Sequence, residues 1–433
     1  MALPNVASAV PAFARQTNMP CTACHFQNFP TLNAFGRTFR TGGYTMTGGQ
    51  GLIEGDDISL PTVLNASVIG KLRYKKTNGN TDAGSDRGSI EWPDEAALLI
   101  GGRLAKSAGF IMELGLGDVG DSDNTTEEIV VFDPETGEPV RDDNGNIVTR
   151  EVVTDSEGHS NSFLSTKLHF NAAKAGNTQF SIIPFSTDGL GSAYGFELLN
   201  TGAQRSQRPI EDRRGFSAAQ ALGLASGEAT GIALVASSHN YFINYSPWVP
   251  GWGGTHMDAE PSGFAHYLRA AYMPFIGSWD TGFGVQFWTG DATVAADDGS
   301  DIDIKTDGWI IDAQAQGDVG GMPLGLYASY GQCEGDADHF AGNCGNSNDA
   351  DAFGILAQLG IIPNKFNVYA AYRMMDVGKE ADTDFDSWTL GTNYMAAQNI
   401  RLELFYVSES GSGVDARSNE RDGTLLLQLF AGF

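Results

Sequence analysis

Polar and apolar residues alternate with a period of two through most of this chain. In Arg401-Leu402-Glu403-Leu404-Phe405-Tyr406-Val407, one face is Leu402, Leu404 and Tyr406, and the other is Arg401, Glu403 and Phe405. Between 163 and 170, Leu164, Thr166, Leu168 and Phe170 oppose Ser165, Lys167 and His169. Between 366 and 374, Phe366, Val368, Ala370, Tyr372 and Met374 oppose Asn367, Tyr369, Ala371 and Arg373. Successive side chains of a strand point to opposite faces, so each stretch predicts a strand with one wet and one apolar face. Each is about ten residues long, enough to cross a bilayer when tilted.

The connections alternate as well. Short ones fall at 105–107, 173–177, 226–228, 274–278, 319–322, 362–365 and 396–399. Long polar ones fall at 75–91, 118–160, 187–213, 239–260, 290–306, 333–349, 377–385 and 409–421. Eight long and seven short connections join sixteen strands. Short turns at one end, long loops at the other and an even strand number predict an all-β fold. The expected architecture is a 16-stranded outer-membrane β-barrel over residues 60–433. The last segment runs from Leu425 to a terminal Phe433, the ending that bacterial barrel insertion commonly accepts. A propeller would show a repeat of about 40 residues, and none is found. No run approaches the roughly 18 consecutive apolar residues of a membrane helix.

Strand parity sorts the side chains. Leu402, Leu404, Val368 and Leu427 are expected to face lipid. Lys71, Arg73, Arg103, Lys167, Arg269, Arg373 and Arg401 are expected in the lumen, balanced by Glu95, Glu113 and Glu403. A charge on the lipid face costs about 2–4 kcal/mol at midplane, which is why parity has force. His169 is expected to point inward, and His266 to lie at an interface beside Phe264 and Leu268. His159, His239, His256 and His339 fall in or beside long loops.

Charge sharpens the picture. Among 433 residues the formal net charge is −27. The acid is concentrated in long loops, as in Asp118, Asp121, Asp123, Glu127 and Glu128, and again in Asp297, Asp298, Asp301 and Asp303. Such a balance excludes nucleic acid as a partner and draws cations to the loop rim. No loop has a full calcium-binding spacing, and solvated charge explains most of it. Turn signals at Asp133-Pro134-Glu135-Thr136-Gly137 and Asp142-Asp143-Asn144-Gly145 predict a β-ribbon within 129–153. Cys333 and Cys344 flank one short polar loop and are expected to form a disulfide, as in an oxidising compartment. The first ten residues lack a charged start and apolar core, and read as a mature N-terminus.

The first 55 residues break the alternation. They contain Cys21-Thr22-Ala23-Cys24-His25, the attachment pattern of a c-type haem. Two thiols at this spacing bond the vinyl groups, and the following His25 ligates the iron. No second cysteine pair lies nearby for zinc. For the second iron ligand Met46 and Met19 are the local candidates; Met46 can loop around, whereas Met19 is only two residues before Cys21. Phe13, Phe26, Phe29, Leu32, Phe35 and Phe39 surround the motif. So short a segment cannot build its own core, so it is expected to pack inside the barrel or at its mouth. Cations in the lumen could then hold the haem propionates. One covalent haem c makes electron transfer the expected function.

Three further runs flank the motif: Pro11-Ala12-Phe13-Ala14-Arg15-Gln16-Thr17, Phe29-Pro30-Thr31-Leu32-Asn33-Ala34-Phe35-Gly36-Arg37 and Gly43-Tyr44. Together they resemble the fused outer-membrane monohaem cytochrome–porins of Fe(II)-oxidising bacteria. The resemblance covers about residues 11–46. It implies a single haem followed by a sixteen-stranded barrel in outer-membrane lipid. It also implies oxidation of extracellular Fe(II), with electrons passed to a periplasmic c-type cytochrome. The residues alone leave two rivals: a porin or transport barrel with a haem plug, and the same conduit run outward. A monomer is expected. No hydrolase motif stands out.

Overall fold

The computed structural model describes residues 11–78, 88–116, 127–130, 149–152, 163–187, 195–202, 209–210, 216–224, 229–250, 263–295, 301–305, 307–335, 349–378, 383–416 and 422–433. Its centre is a closed antiparallel barrel. The strands are β1 (Ala66–Thr77), β2 (Ser89–Ala105), β3 (Ala108–Gly115), β4 (Phe163–Ala175), β5 (Thr178–Thr187), β6 (Ala229–Ser237), β7 (Tyr241–Pro250) and β8 (Ala265–Tyr272). They continue as β9 (Trp279–Thr289), β10 (Gly308–Val319), β11 (Met322–Cys333), β12 (Ala350–Ile362), β13 (Phe366–Asp376), β14 (Asp386–Ala397), β15 (Ile400–Ser410) and β16 (Gly423–Gly432). β8 is interrupted at Met273-Pro274 and resumes as Phe275–Ile276, still paired with β9. Proline has no N–H for the ladder, which accounts for the break. β16 closes the ring on β1, with Leu427 opposite Tyr74 and Gly432 opposite Ile69. Closure leaves no unpaired edge, which a spanning sheet requires.

Parity is borne out on both faces. Leu402, Leu404 and Leu427 are exposed on the outside, and Val368 shares that face half-buried. Arg401, Glu403 and Phe405 are buried inside. Lys71, Arg73, Lys167, His169, Arg269 and Arg373 are all buried in the lumen. Lys71 pairs with Glu95 at 2.5 Å, Arg73 with Asp94 at 2.9 Å and Arg401 with Glu403 at 3.3 Å. His266 is half-buried and accepts or donates at 2.9 Å with Tyr245. A continuous apolar exterior over a polar interior inverts a water-soluble barrel and marks a membrane-spanning one.

One hairpin differs from the expectation. The alternation placed a strand at about 214–225 and a long loop at 239–260. Instead Tyr241–Pro250 is the strand β7, and 238–240, including His239, is a short turn. The described parts of the connection between β5 and β6, 195–202, 209–210 and 216–224, are largely buried against the inner wall. Its Ala218–Ala221 forms a helical turn capped by Ser217, which accepts from the Gln220 N–H at 3.3 Å. Alanine-rich sequence with a serine cap favours helix over strand. The total stays at sixteen because one strand is exchanged for another.

Smaller pairings lie outside the barrel. Leu52–Glu54 pairs with Ser59–Pro61 at the border between the N-terminal segment and β1. Glu127–Val130 pairs with Thr149–Val152, at the ends of the expected ribbon, whose turn signals at 133–137 and 142–145 lie outside the described residues. Cys333 is disulfide-bonded while Cys21 and Cys24 are free; Cys344, the remaining cysteine, lies outside the described residues.

Candidate functional site

Three short helices build the N-terminal segment: α1 (Ala12–Thr17), α2 (Cys21–Cys24) and α3 (Ala34–Thr41). α2 is a single turn, so Cys21 and Cys24 fall on one side of it. His25 then leaves the helix in extended geometry, with φ −112° and ψ 137°. It forms an antiparallel bridge with Leu32. The Phe26 N–H donates to the Thr31 carbonyl at 2.8 Å, and His25 Nδ1 lies 3.3 Å from the same oxygen. A carbonyl only accepts, so Nδ1 carries the proton and Nε2 keeps its lone pair. Burial pushes the His25 pKa down to about 4, so the ring is neutral at pH 7. Burial pushes Cys24 up to about 11 and raises Cys21 as well. A disulfide-exchange site needs a stabilised thiolate. This pair has the opposite tuning.

Asn33 ties α2 to α3. Its backbone N–H donates to the Cys24 carbonyl at 3.0 Å, and its Nδ2 donates to the Ala23 carbonyl at 3.0 Å. Its Oδ1 caps α3 by accepting from the Gly36 N–H at 2.9 Å. Gly36 allows the close approach: a Cβ there would sit 2.2 Å from the Cys24 oxygen.

Cys21, Cys24 and His25 line one cavity, together with Phe13, Met19, Phe29, Leu32, Phe39, Arg40, Ile69, Ile111 and Phe430. Met46 is not in that wall; its carbonyl is engaged instead, accepting from Gln16 Nε2 at 2.7 Å. Of the two candidate second ligands, the cavity therefore contains Met19. The other lining residues include Ser67 at the start of β1, Gln398 and Asn399 in the last short turn, and Gly432 at the end of β16. All of these belong to the short-turn end of the barrel. The donor set and apolar walls fit a covalently held haem: two adjacent free thiols, a neutral imidazole and one guanidinium.

The barrel grips this segment through its backbone. Asn200 Oδ1 accepts the Leu32 N–H at 2.8 Å, and Asn200 Nδ2 donates to the Leu32 carbonyl at 3.0 Å. Gln316 Nε2 donates to the same carbonyl at 3.1 Å. Gln358 Nε2 and Asn367 Nδ2 both donate to Asn28 Oδ1, at 2.9 and 3.1 Å. Arg401 donates to the Phe29 carbonyl at 2.6 Å, and Phe29 stacks on Phe430. Arg37 pairs with Asp280 at 2.5 Å. Asn171 and Arg103 hold the carbonyls of Gly42 and Thr45 at 2.9 and 3.0 Å. Strand pattern alone put Arg103 and Arg401 in the lumen. It missed the amides Asn200, Gln314, Gln316, Gln358 and Asn367. For the four on strands a signal was present: Gln314 and Gln316 of β10, Gln358 of β12 and Asn367 of β13 all fall on the inward parity.

Residues 195–202 and 216–224 fill the lumen beside and above this segment. Phe196, Leu198, Leu199, Ala218, Ala219, Leu222 and Leu224 share one apolar cluster with Phe185, Phe242 and Trp248 of the wall. Within it Arg269 reaches Glu197 at 2.8 Å and Asp312 at 2.5 Å, all three side chains 0% exposed. Arg40 of α3 donates to the Glu197 carbonyl at 2.8 Å, joining the two inward pieces.

These features define a class: a bacterial outer-membrane β-barrel with its own N-terminal segment and, among the described residues, parts of the β5–β6 connection packed in its lumen. No family model matches the sequence, and no curated protein does. Among solved structures, in-vitro folded OmpT of Vibrio cholerae is similar at 12% identity and TM-score 0.45, over 88% of this chain and 99% of that one. The outer membrane channel DcaP of Acinetobacter baumannii is similar at 10% identity and TM-score 0.46, over 89% and 100%. OccAB4 of the same organism is similar at 12% identity and TM-score 0.43, over 85% and 97%. The class stands on the chain's own closed sheet and apolar exterior.

Proposed function

We propose that this chain is an outer-membrane electron conduit that takes electrons from extracellular Fe(II) through one c-type haem and delivers them to a periplasmic c-type cytochrome. The observation that carries the reading is the cavity at the short-turn end, which brings together Cys21, Cys24 and a neutral His25. Short turns of such barrels face the periplasm, so a group held there is within reach of periplasmic carriers. A haem bound there supplies one-electron transfer at its iron.

The chain's residues do the holding. Cys21 and Cys24 would carry the thioether bonds, and His25 Nε2 would ligate the iron. The Thr31 carbonyl fixes the His25 tautomer and strengthens its donor nitrogen. Phe13, Phe29, Leu32, Phe39 and Phe430 exclude water from the site. Arg40 is the wall's guanidinium for a propionate, and Met19 is the wall's thioether for a second ligand. At the other end, the carboxylates of the long loops concentrate a divalent cation. The packing of 195–202 and 216–224 into the lumen favours a conduit over an open pore.

The test uses detergent-purified protein. Pyridine haemochrome and intact mass should give one covalent haem. Mixing oxidised protein with Fe(II) near neutral pH should produce the reduced haem bands. Reduction by dithionite but not by Fe(II) would point to a haem-plugged porin or an outward conduit.

A further inference from the structure

We propose that Asn200, on the connection that folds in between β5 and β6, is the positioning residue for His25. The proposal rests on His25 as an iron ligand, as read above. Asn200 is fully buried and makes both backbone bonds of Leu32, accepting from its N–H and donating to its carbonyl. That is the pair of bonds a neighbouring strand would supply, here made by one side chain from 168 residues away. Leu32 is bridged to His25, and the adjoining Thr31 carbonyl accepts from His25 Nδ1. The orientation of Leu32 therefore sets the direction of the carbonyl that sets the imidazole plane.

Asn200 is itself held on every side. Its N–H donates to Gln314 Oε1 at 2.8 Å, and its Nδ2 lies 3.1 Å from the same oxygen. The next residue, Thr201, donates to Asp312 at 2.5 Å. The two bonds to Leu32 are not equivalent. The Leu32 carbonyl also accepts from Gln316, whereas its N–H is given Asn200 as acceptor. Removing the amide strands a buried N–H, and the strand can recover a partner only by moving. An outer-shell partner of a metal-binding histidine typically sets ring orientation and donor strength. In this molecule that role reaches His25 from a connection at the long-loop end, so the outer side of the barrel and the proximal side of the site are mechanically joined.

The test compares full-length wild type with Asn200→Leu, which keeps the branched skeleton and removes both bonds, and with Thr201→Val. The latter loosens the same segment but leaves Leu32 gripped. Covalent haem content is measured first by pyridine haemochrome, then the iron–histidine stretching band and the midpoint potential. Asn200→Leu should keep its haem yet shift or split the band and move the potential. Its fraction of ferrous haem lacking the histidine should rise by up to about tenfold, since Asn200 acts through Leu32 and Thr31 and tenfold is the lower range for losing the histidine's own outer-shell partner. Thr201→Val should match wild type. An unshifted band in haem-loaded Asn200→Leu, or equal shifts in both variants, would overturn the role of Asn200. If Asn200→Leu fails to fold, Asn200→Ser carries the same test, with a smaller shift expected and a wild-type band overturning the idea. Wild-type protein without covalent haem would instead overturn the reading beneath it.

Discussion

The two pieces that fill the lumen are held by different chemistry. The stretch around His25 is gripped by neutral amides and one guanidinium acting on its backbone and on Asn28: Asn200 and Gln316 on Leu32, Arg401 on Phe29, Gln358 and Asn367 on Asn28. The inward connection is held by burial of Phe196, Leu198, Leu199 and Leu222, with a single ion triad at its centre. A segment with its own apolar residues can be held by area, which is strong and tolerant of small displacement. A segment whose apolar side chains line a cavity has little area left to spend on the barrel. Directional hydrogen bonds hold it instead, and they fix position more tightly than area does. The contrast assigns precision to the His25 loop and bulk stability to the inward connection.

Substitutions should separate the two. The largest effect belongs to the site. In Cys21→Ala/Cys24→Ala the covalent haem should vanish from the intact mass, while heat-modifiable migration shows an intact barrel. Retention of the full haem mass would break the assignment. Next comes the triad of the inward piece. Arg269→Met leaves Glu197 and Asp312 buried without their cation, a loss of about 3–5 kcal/mol. Denaturant midpoints should fall while haem content per folded protein holds.

Gly36 offers a sharper cut within the first piece. Gly36→Ala pushes a Cβ to 2.2 Å from the Cys24 oxygen, whereas Gly42→Ala meets nothing closer than 3.5 Å. Overpacking of this kind costs about 1–3 kcal/mol. Haem incorporation should drop in the first variant and stay near wild type in the second. Equal incorporation would mean that the approach of α3 to α2 does not position Cys24. The smallest effect is expected at the rim. Neutralising Asp297, Asp298, Asp301 and Asp303 together should slow reduction by Fe(II) and weaken its dependence on salt, with the haem spectrum unchanged. The field they contribute acts over about 8 Å at physiological salt.

Much of the barrel was legible because a spanning strand has few ways to be written. Leu402, Leu404 and Leu427 outside, with Arg401, Glu403 and Lys167 inside, follow from a period of two and a lipid solvent. The hairpin between β5 and β8 was not legible. Ala218, Leu222 and Leu224 of the inward connection are buried, so they look like strand material in a code that assumes loops are wet. The Cys21-Thr22-Ala23-Cys24-His25 run was legible because attachment chemistry demands residue types at fixed spacing. Loop reach favours Met46 over Met19 as second ligand, yet Met19 lines the cavity and Met46 does not, because Gln16 ties the chain at the Tyr44 and Met46 carbonyls. The grip of Asn200 on Leu32 joins residues far apart in sequence, and no local pattern announces it.

The central claim is that electrons from Fe(II) on the long-loop side reach a haem held at the short-turn side. Sealed vesicles containing the oxidised protein with its long loops outward test it directly. Fe(II) added only outside, followed by absorption at the haem bands, should reduce the haem within the vesicle-bound protein, and an enclosed oxidised c-type cytochrome should then follow. If external Fe(II) leaves the haem oxidised while dithionite reduces it fully, the claim is contradicted.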